Sequence, residues 1–409
     1  MQKTPKALRV HIGIFGRRNV GKSSVLNILT GQKISIVSDI AGTTTDPVEK
    51  VMELQPIGPV VFIDTAGIDD VGALGKLRVD QSKKVIERTD IAIIVTDRWQ
   101  EYEKRLFELF SKRRTPVIVV ANKSDLRKTD DVETCAKEEG VKRIVSSNAL
   151  TGEGFKELRS ALIESVKESP LDTATLVDGI VDEGDVVVLV TPIDIESPRG
   201  RMLLAQVQAI REVLDKNATA IVVKENRVEQ ILALLKKPPQ LVVTDSQAFE
   251  MISQIVPDEI PLTSFSILFA RFKGDLDRMI QGAMAIENLK EGDKVLIAEA
   301  CTHHPIGEDI GRVKLPRWLQ EYAGANLDIE VAAGRDFPND LSPYKIVIHC
   351  GACVWNKQQV LSRLDIAKKA LVPFTNYGLA IAYRYGCFER ALRPFPEVYD
   401  RFAAIESNR

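Results

Sequence analysis

Short apolar runs alternate with amphipathic stretches along the first 170 positions. The runs at Arg9 to Phe15, Val60 to Ile63, Ile91 to Thr96, Pro116 to Ala121 and Arg143 to Val145 are strand-sized and rich in Val and Ile. Near-continuous apolar strands belong to sheets covered on both faces. Between them, Glu101 to Lys112 and Phe155 to Val166 carry apolar residues at helical spacing. Strand and helix in alternation predict a mostly parallel, doubly wound α/β sheet. The pattern breaks at Ser169-Pro170, which closes a first domain at 1–170.

The same texture resumes beyond the break. Strands are predicted at Asp185 to Thr191, Thr219 to Val223 and Gln240 to Thr244, with helices over Gly200 to Asp215 and Asn226 to Leu235. This second α/β unit, 171–263, has no phosphate loop and no cluster of titratable groups, so it reads as structural or oligomer-forming. The third unit, 264–409, has strand-like runs at Lys294 to Ala298 and Tyr344 to Ile348. Three α/β domains with mainly parallel sheets are therefore expected.

Composition narrows the classes. With 409 residues, 44% hydrophobic and 27% charged, the chain reads as a soluble globular protein with several cores. Lys+Arg 55 against Asp+Glu 57 excludes a broadly basic, nucleic-acid-coating protein. No apolar run approaches the roughly 20 residues of a membrane span. Met1 to Val10 lacks the apolar centre of a secretory leader. Five cysteines, an odd number, do not make a disulfide framework, so a cytoplasmic, reducing setting is expected.

Chemistry concentrates in two places. Gly16-Arg17-Arg18-Asn19-Val20-Gly21-Lys22-Ser23-Ser24 follows the first strand and fits G-x-x-x-x-G-K-[ST]. Its glycines let backbone N–H groups curl around phosphate oxygens, and the following helix adds its positive end. Lys22 is expected on the β/γ-phosphates and Ser23 on Mg²⁺. Asp64-Thr65-Ala66-Gly67 follows a second strand, with Asp64 placed for Mg²⁺ and Gly67 for the γ-phosphate. Asn122-Lys123-Ser124-Asp125 follows a third. The Asp125 carboxylate would accept from guanine N1–H and the exocyclic amine, a donor pair adenine lacks. Asn122 would hold the base and the nearby loop, and the Lys123 stem would pack on the base's face. Together the three motifs define a P-loop GTPase.

The set resembles the Era/TrmE-like GTPases. That resemblance implies switch I at Gly42 to Asp46 with Thr44 on Mg²⁺. It also implies a last guanine loop at Ser147 to Gly152, in which Asn148 replaces the usual serine and Ala149 offers its N–H to guanine. Ile68 stands where Ras-like enzymes keep a glutamine, so slow intrinsic hydrolysis is expected. Asn19 occupies the position that helps bind K⁺ in TrmE-like relatives, so K⁺ activation is one expectation. A plain bond to the loop backbone is the other.

The second place is the third unit, which holds three of the four histidines and four of the five cysteines. Cys301-Thr302-His303-His304 follows one strand and His349-Cys350-Gly351-Ala352-Cys353 another. Sites in open α/β sheets lie beyond the carboxyl ends of strands, so the two clusters can meet at one rim. Cys301, Cys350 and Cys353 offer three thiolates, with His303, His304, His349 or Glu308 as a fourth ligand. Cys135 and Cys387 read as unliganded. Spacing alone leaves zinc, an Fe–S cluster and no metal all open.

G-R-x-N-V-G-K-S-S joined to C-x-H and H-C-x-x-C resembles the FeFe-hydrogenase maturation GTPase (HydF) family over essentially the whole chain. The resemblance implies a GTPase domain at 1–170, a dimerisation domain at 171–263 and a 4Fe-4S cluster domain at 264–409. It further implies a homodimeric carrier of a diiron precursor, working with two radical-SAM maturases and apo FeFe-hydrogenase. His303 and His349 match the family motif, and His304 does not. Two alternatives stand beside it: an RNA-associated GTPase with structural zinc, and a redox switch at Cys350 and Cys353. Charge argues against nucleic acid, because 264–409 carries 19 Lys+Arg and 18 Asp+Glu with no basic stripe.

Overall fold

The structure is a computed structural model that describes residues 9–30, 48–65, 84–125, 130–149, 151–168, 175–193, 202–300, 309–334 and 336–407. The chain divides into two compact units, Met1–Thr173 and Ala174–Arg409.

The first unit is built on β1 (Val10–Phe15), β2 (Val48–Leu54), β3 (Gly58–Asp64), β4 (Ile91–Thr96), β5 (Val117–Asn122) and β6 (Arg143–Ser147). Their order is β2-β3-β1-β4-β5-β6, and only β2 runs antiparallel to its neighbour. Every residue of β4 and β5 is buried, so both sheet faces are covered. The two-residue period sends Ile91, Ile93 and Val95 to one face, onto Leu26, Leu158 and Leu162. Ala92 and Ile94 go to the other, onto Leu106, Phe110 and Ala136. The five sequence-predicted strands all form. Sequence reading did not anticipate β2, an edge strand whose Val51 is 45% exposed.

The second unit holds two parallel four-stranded sheets. One contains β7 (Val186–Val190), β8 (Thr219–Val223), β9 (Leu241–Thr244) and β10 (Leu262–Ser264), in the order β10-β9-β7-β8. The other contains β11 (Lys294–Glu299), β12 (Asp328–Ala333), β13 (Ile346–His349) and β14 (Phe374–Asn376), in the order β12-β11-β13-β14. A single apolar core includes Val188 and Val242 of the first sheet, Leu296 and Val347 of the second, and Leu268 from the helix Phe265–Lys273. That helix is apolar nearly all round, as a helix covered on several sides must be. Ser264 Oγ, at the end of β10, caps it by accepting from Ile267 N–H at 3.3 Å. A separate cluster of Ile297, Ile348, Trp318 and Leu319 covers the outer face of the second sheet.

Candidate functional sites

The phosphate loop leaves β1 at Gly16. Gly16 and Gly21 take φ of 148° and 99°, and Asn19 takes 62°. A Cβ at Gly16 would lie 2.2 Å from the Val95 carbonyl oxygen, and one at Gly21 2.2 Å from Asn122 Nδ2. Glycine is therefore demanded by contact as well as by torsion. Val20 is buried beneath the loop, and Ser24 is half-buried in the first turn of the helix Lys22–Thr30. The Lys22 ammonium donates to the carbonyls of Gly16 (2.9 Å) and Arg17 (2.7 Å), which sets it across the loop. Asn19 is exposed and makes no side-chain hydrogen bond among the described residues.

Ser23 Oγ donates to Asp64 Oδ2 at 2.9 Å, joining the helix start to the end of β3. Asp64 Oδ1 is buried with no hydrogen-bond partner among the described residues. Burial pushes this carboxyl above its ordinary value, against the opposing pull of the Ser23 hydroxyl and the Lys22 ammonium. A serine hydroxyl beside a carboxylate with an unpartnered oxygen is a donor set that fits Mg²⁺. Thr44, Gly67 and Ile68 lie outside the described residues.

Asn122 joins three loops. Its Nδ2 donates to the Val20 carbonyl at 2.8 Å, while its Oδ1 accepts from Ser147 Oγ (3.2 Å) and Ala149 N–H (3.1 Å). Asn122 thus holds the phosphate loop and the last guanine loop together. The Ala149 N–H that sequence reasoning assigned to guanine is directed here at Asn122. Asn148 Oδ1 accepts from Thr151 N–H at 3.4 Å, inside a short bridge to Glu153. Lys123 takes φ 66°, its ammonium 4.0 Å from Asp97 Oδ2, and Asp125 is exposed. Sequence reasoning missed the anchor of the loop itself. Arg17 makes two bonds, 2.9 and 3.1 Å, to the fully buried Glu103 carboxylate.

In the second unit, β11 and β13 are adjacent and parallel, with Ala298 paired to His349. Cys350 and Cys353 follow the end of β13 as half-buried thiols outside any disulfide among the described residues. The Ala300 N–H donates to Cys350 Sγ at 3.1 Å. Cys301, His303, His304 and Glu308 lie outside the described residues, and no group of three or more ligating side chains occurs among those described. A half-buried thiol pair receiving an N–H···S bond fits a thiolate-held iron–sulfur cluster.

His349 is arranged differently from a ligand. Its Nδ1–H donates to the Cys350 carbonyl (2.7 Å) and its Nε2 accepts from Arg363 (2.7 Å). Burial, reinforced by the Arg363 charge, pushes its pKa down to about 3, so the ring is neutral. With both nitrogens used, His349 orients the thiol turn instead of offering a lone pair. Burial raises the Cys353 thiol while the nearby Lys273 ammonium lowers it. Lys273 is itself buried, its pKa brought down to about 8 chiefly by desolvation. The Tyr377 hydroxyl is buried without a hydrogen-bond partner among the described residues, and burial and the neighbouring Cys350 and Glu299 hold its pKa well above the usual value. None of Lys273, Arg363 and Tyr377 was singled out from sequence. Only Lys273, four residues from Phe269 in an otherwise apolar helix, left a readable sign. No described helix is long and apolar enough to cross a membrane.

Comparison with known proteins gives three family matches. Residues 11–123 match a 50S ribosome-binding GTPase model, 176–274 a hydrogen maturase F dimerization domain, and 277–394 a hydrogen maturase F tetramerization domain. The GTPase Der of Wolinella succinogenes is 42% identical over 133 residues, 31% of this chain and 28% of that protein. The tRNA modification GTPase MnmE of Aquifex aeolicus is 38% identical over 168 residues, 40% of this chain and 36% of that protein. The chain therefore spans well under half the length of these curated relatives. Among solved structures, Era of Aquifex aeolicus bound to GDP and AlF4⁻ has a TM-score of 0.34 at 21% identity, covering 55% of this chain and 98% of that one. The G domain of the Thermotoga maritima (T. maritima) FeoB iron transporter has a TM-score of 0.31 at 25% identity, covering 39% and 99%. The two hydrogen maturase F matches together span 176–394 of this chain, and the GTPase match covers the phosphate loop and β5, so the chain belongs to the hydrogen maturase F family and carries an Era/TrmE-like GTPase domain.

Proposed function

We propose that this chain is a GTP-hydrolysing scaffold that binds a 4Fe-4S cluster and delivers a diiron precursor to apo FeFe-hydrogenase. The observation that carries the reading is the Ala300 N–H on Cys350 Sγ. It brings the residue preceding Cys301 against the C-x-x-C turn, as a three-thiolate site needs. Cys301, Cys350 and Cys353 hold the cluster, with His303 or Glu308 as fourth ligand. When bound, such a cluster supplies an iron able to exchange one ligand with the incoming precursor. His349 acts through the Cys350 carbonyl and fixes the turn.

In the GTPase domain, Lys22 and Gly67 bind the phosphates, Ser23, Asp64 and Thr44 hold Mg²⁺, and Asp125 reads guanine. Hydrolysis acts as a switch that changes partner contacts. The exposed Asn19 assists a K⁺ ion beside the phosphates, and hydrolysis in Na⁺ equal to that in K⁺ would refute that role. The protein works in the cytoplasm as a homodimer through 171–263, with 264–409 as the cluster domain and two radical-SAM maturases as partners.

The test is iron and sulfide analysis with EPR on anaerobically reconstituted protein. About four irons per chain are expected, with a reducible signal lost in Cys350→Ala. One tightly held zinc with no iron uptake would sink the scaffold reading and favour an RNA-associated GTPase.

A further inference from the structure

Lys273 ends the helix Phe265–Lys273 and is 2% exposed. Its Nζ donates to the carbonyls of Ala352 (3.1 Å), Cys353 (3.2 Å) and Trp355 (2.6 Å), using all three ammonium protons. The Phe269 ring lies beneath it, 4.7 Å from Nζ to the centroid. No carboxylate pairs with it among the described residues. Carbonyl dipoles satisfy its protons without cancelling its charge, and a buried, uncompensated ammonium is expensive to hold. A methionine would fill the same space without that cost.

The turn it grips is under strain. Ala352, between the two cysteines, takes φ 49° in the left-handed region and is buried. Such a conformation persists in a non-glycine residue only when its surroundings impose it. Lys273 supplies one such constraint by holding the carbonyls of Ala352 and Cys353 together. The cation thus faces the loop whose thiols become anionic ligands, and a thiolate-bound cluster is net negative.

We propose that Lys273 is a positioning residue for the cluster: it fixes the Cys350–Cys353 turn and supplies the positive charge that favours the reduced cluster. This inference rests on the cluster reading above. A neutral side chain at 273 then makes the bound cluster harder to reduce.

The experiment is an EPR-monitored redox titration of the full chain after anaerobic reconstitution, with iron and sulfide counted, for wild type, Lys273→Met, Lys273→Gln and Lys273→Arg. Both neutral variants should reduce at least tenfold less favourably, a midpoint lower by about 59 mV for one electron. Arginine should restore the wild-type value. If the methionine variant does not fold, glutamine, whose amide still donates to the loop carbonyls, carries the test. A neutral variant with wild-type iron content and a wild-type midpoint overturns the inference. Loss of iron by all three variants alike overturns the charge role. A wild-type chain that takes up no iron refutes the cluster reading itself, which separates the two failures.

Discussion

Replacing Asn122 by alanine tests whether one buried amide holds the nucleotide site together. Asn122 is 3% exposed and its side chain makes three hydrogen bonds, to Val20, Ser147 and Ala149. Its removal strands a carbonyl, a hydroxyl and an N–H in a site that water does not readily enter. At about 1 kcal/mol net for each bond, the loss is about 3 kcal/mol. Because Gly21 packs against the same amide, the phosphate loop loses a wall as well as a tether. Affinity for GDP should fall at least tenfold, about 1.4 kcal/mol, since the loops that contact phosphate and base no longer share an anchor. Urea unfolding read by hydrogen exchange in β1 and β5 reports the stability, and a fluescent guanine-nucleotide titration reports the affinity. Ser147→Ala, which removes one of the three bonds, should cost only about 1 kcal/mol. Stability unchanged within about 1 kcal/mol, with affinity lost, would mean that Asn122 acts on the base alone and would refute the bracing role.

Three further predictions follow from buried polar groups. Glu103→Ala removes the fully buried carboxylate that holds Arg17 and caps Gln100 N–H; a loss of about 2–3 kcal/mol is expected, at the low end for a broken buried pair because Arg17 reaches solvent, and urea melts that superimpose would refute it. His349 is neutral when folded, with a pKa of about 3 against 6.5 unfolded, so the unfolded chain binds more protons and stability is present above pH 6.5 and lost as pH falls towards 3. Between pH 7.5 and 5 the cluster-free wild type should lose about 2 kcal/mol more than His349→Gln, and equal losses would sink the assignment. Tyr377→Phe removes a buried hydroxyl that has no partner among the described residues, so the cluster-free protein should gain about 1 kcal/mol in thermal stability, and a clear loss would show that the hydroxyl is bonded.

Legibility in the sequence followed burial and distance along the chain. β4 and β5 are buried on both faces and read directly as apolar runs, as did β7 and β11. The strands that escaped notice are either short or half-exposed. β10 and β14 have three residues each, too few for a period, and β2 and β12 lie at sheet edges with polar residues alternating. Glycine and lysine of the phosphate loop were legible because local backbone geometry and phosphate chemistry both demand those residue types. Asn122 was found for its place in N-K-S-D, yet its bonds to Val20 and Ser147 depend on how β1, β5 and β6 align.

The cysteine turn after β13 shows where that limit falls. Cys350 and Cys353 are neighbours in sequence, so their pairing is written in the spacing. Lys273 lies 80 residues from the Cys353 carbonyl it holds, and Arg363 lies 14 from the His349 ring. Neither contact has a periodic or motif signature, because each is set by how the helices Phe265–Lys273 and Lys357–Lys369 pack within one core. The histidine of H-C-x-x-C illustrates the consequence. From spacing it is one of several candidates for a fourth ligand, but a guanidinium at 2.7 Å on one nitrogen and a carbonyl at 2.7 Å from the other leave it no lone pair to give. Residue type and spacing therefore identify the thiols, whereas the charge around them is decided by side chains that arrive from elsewhere in the fold.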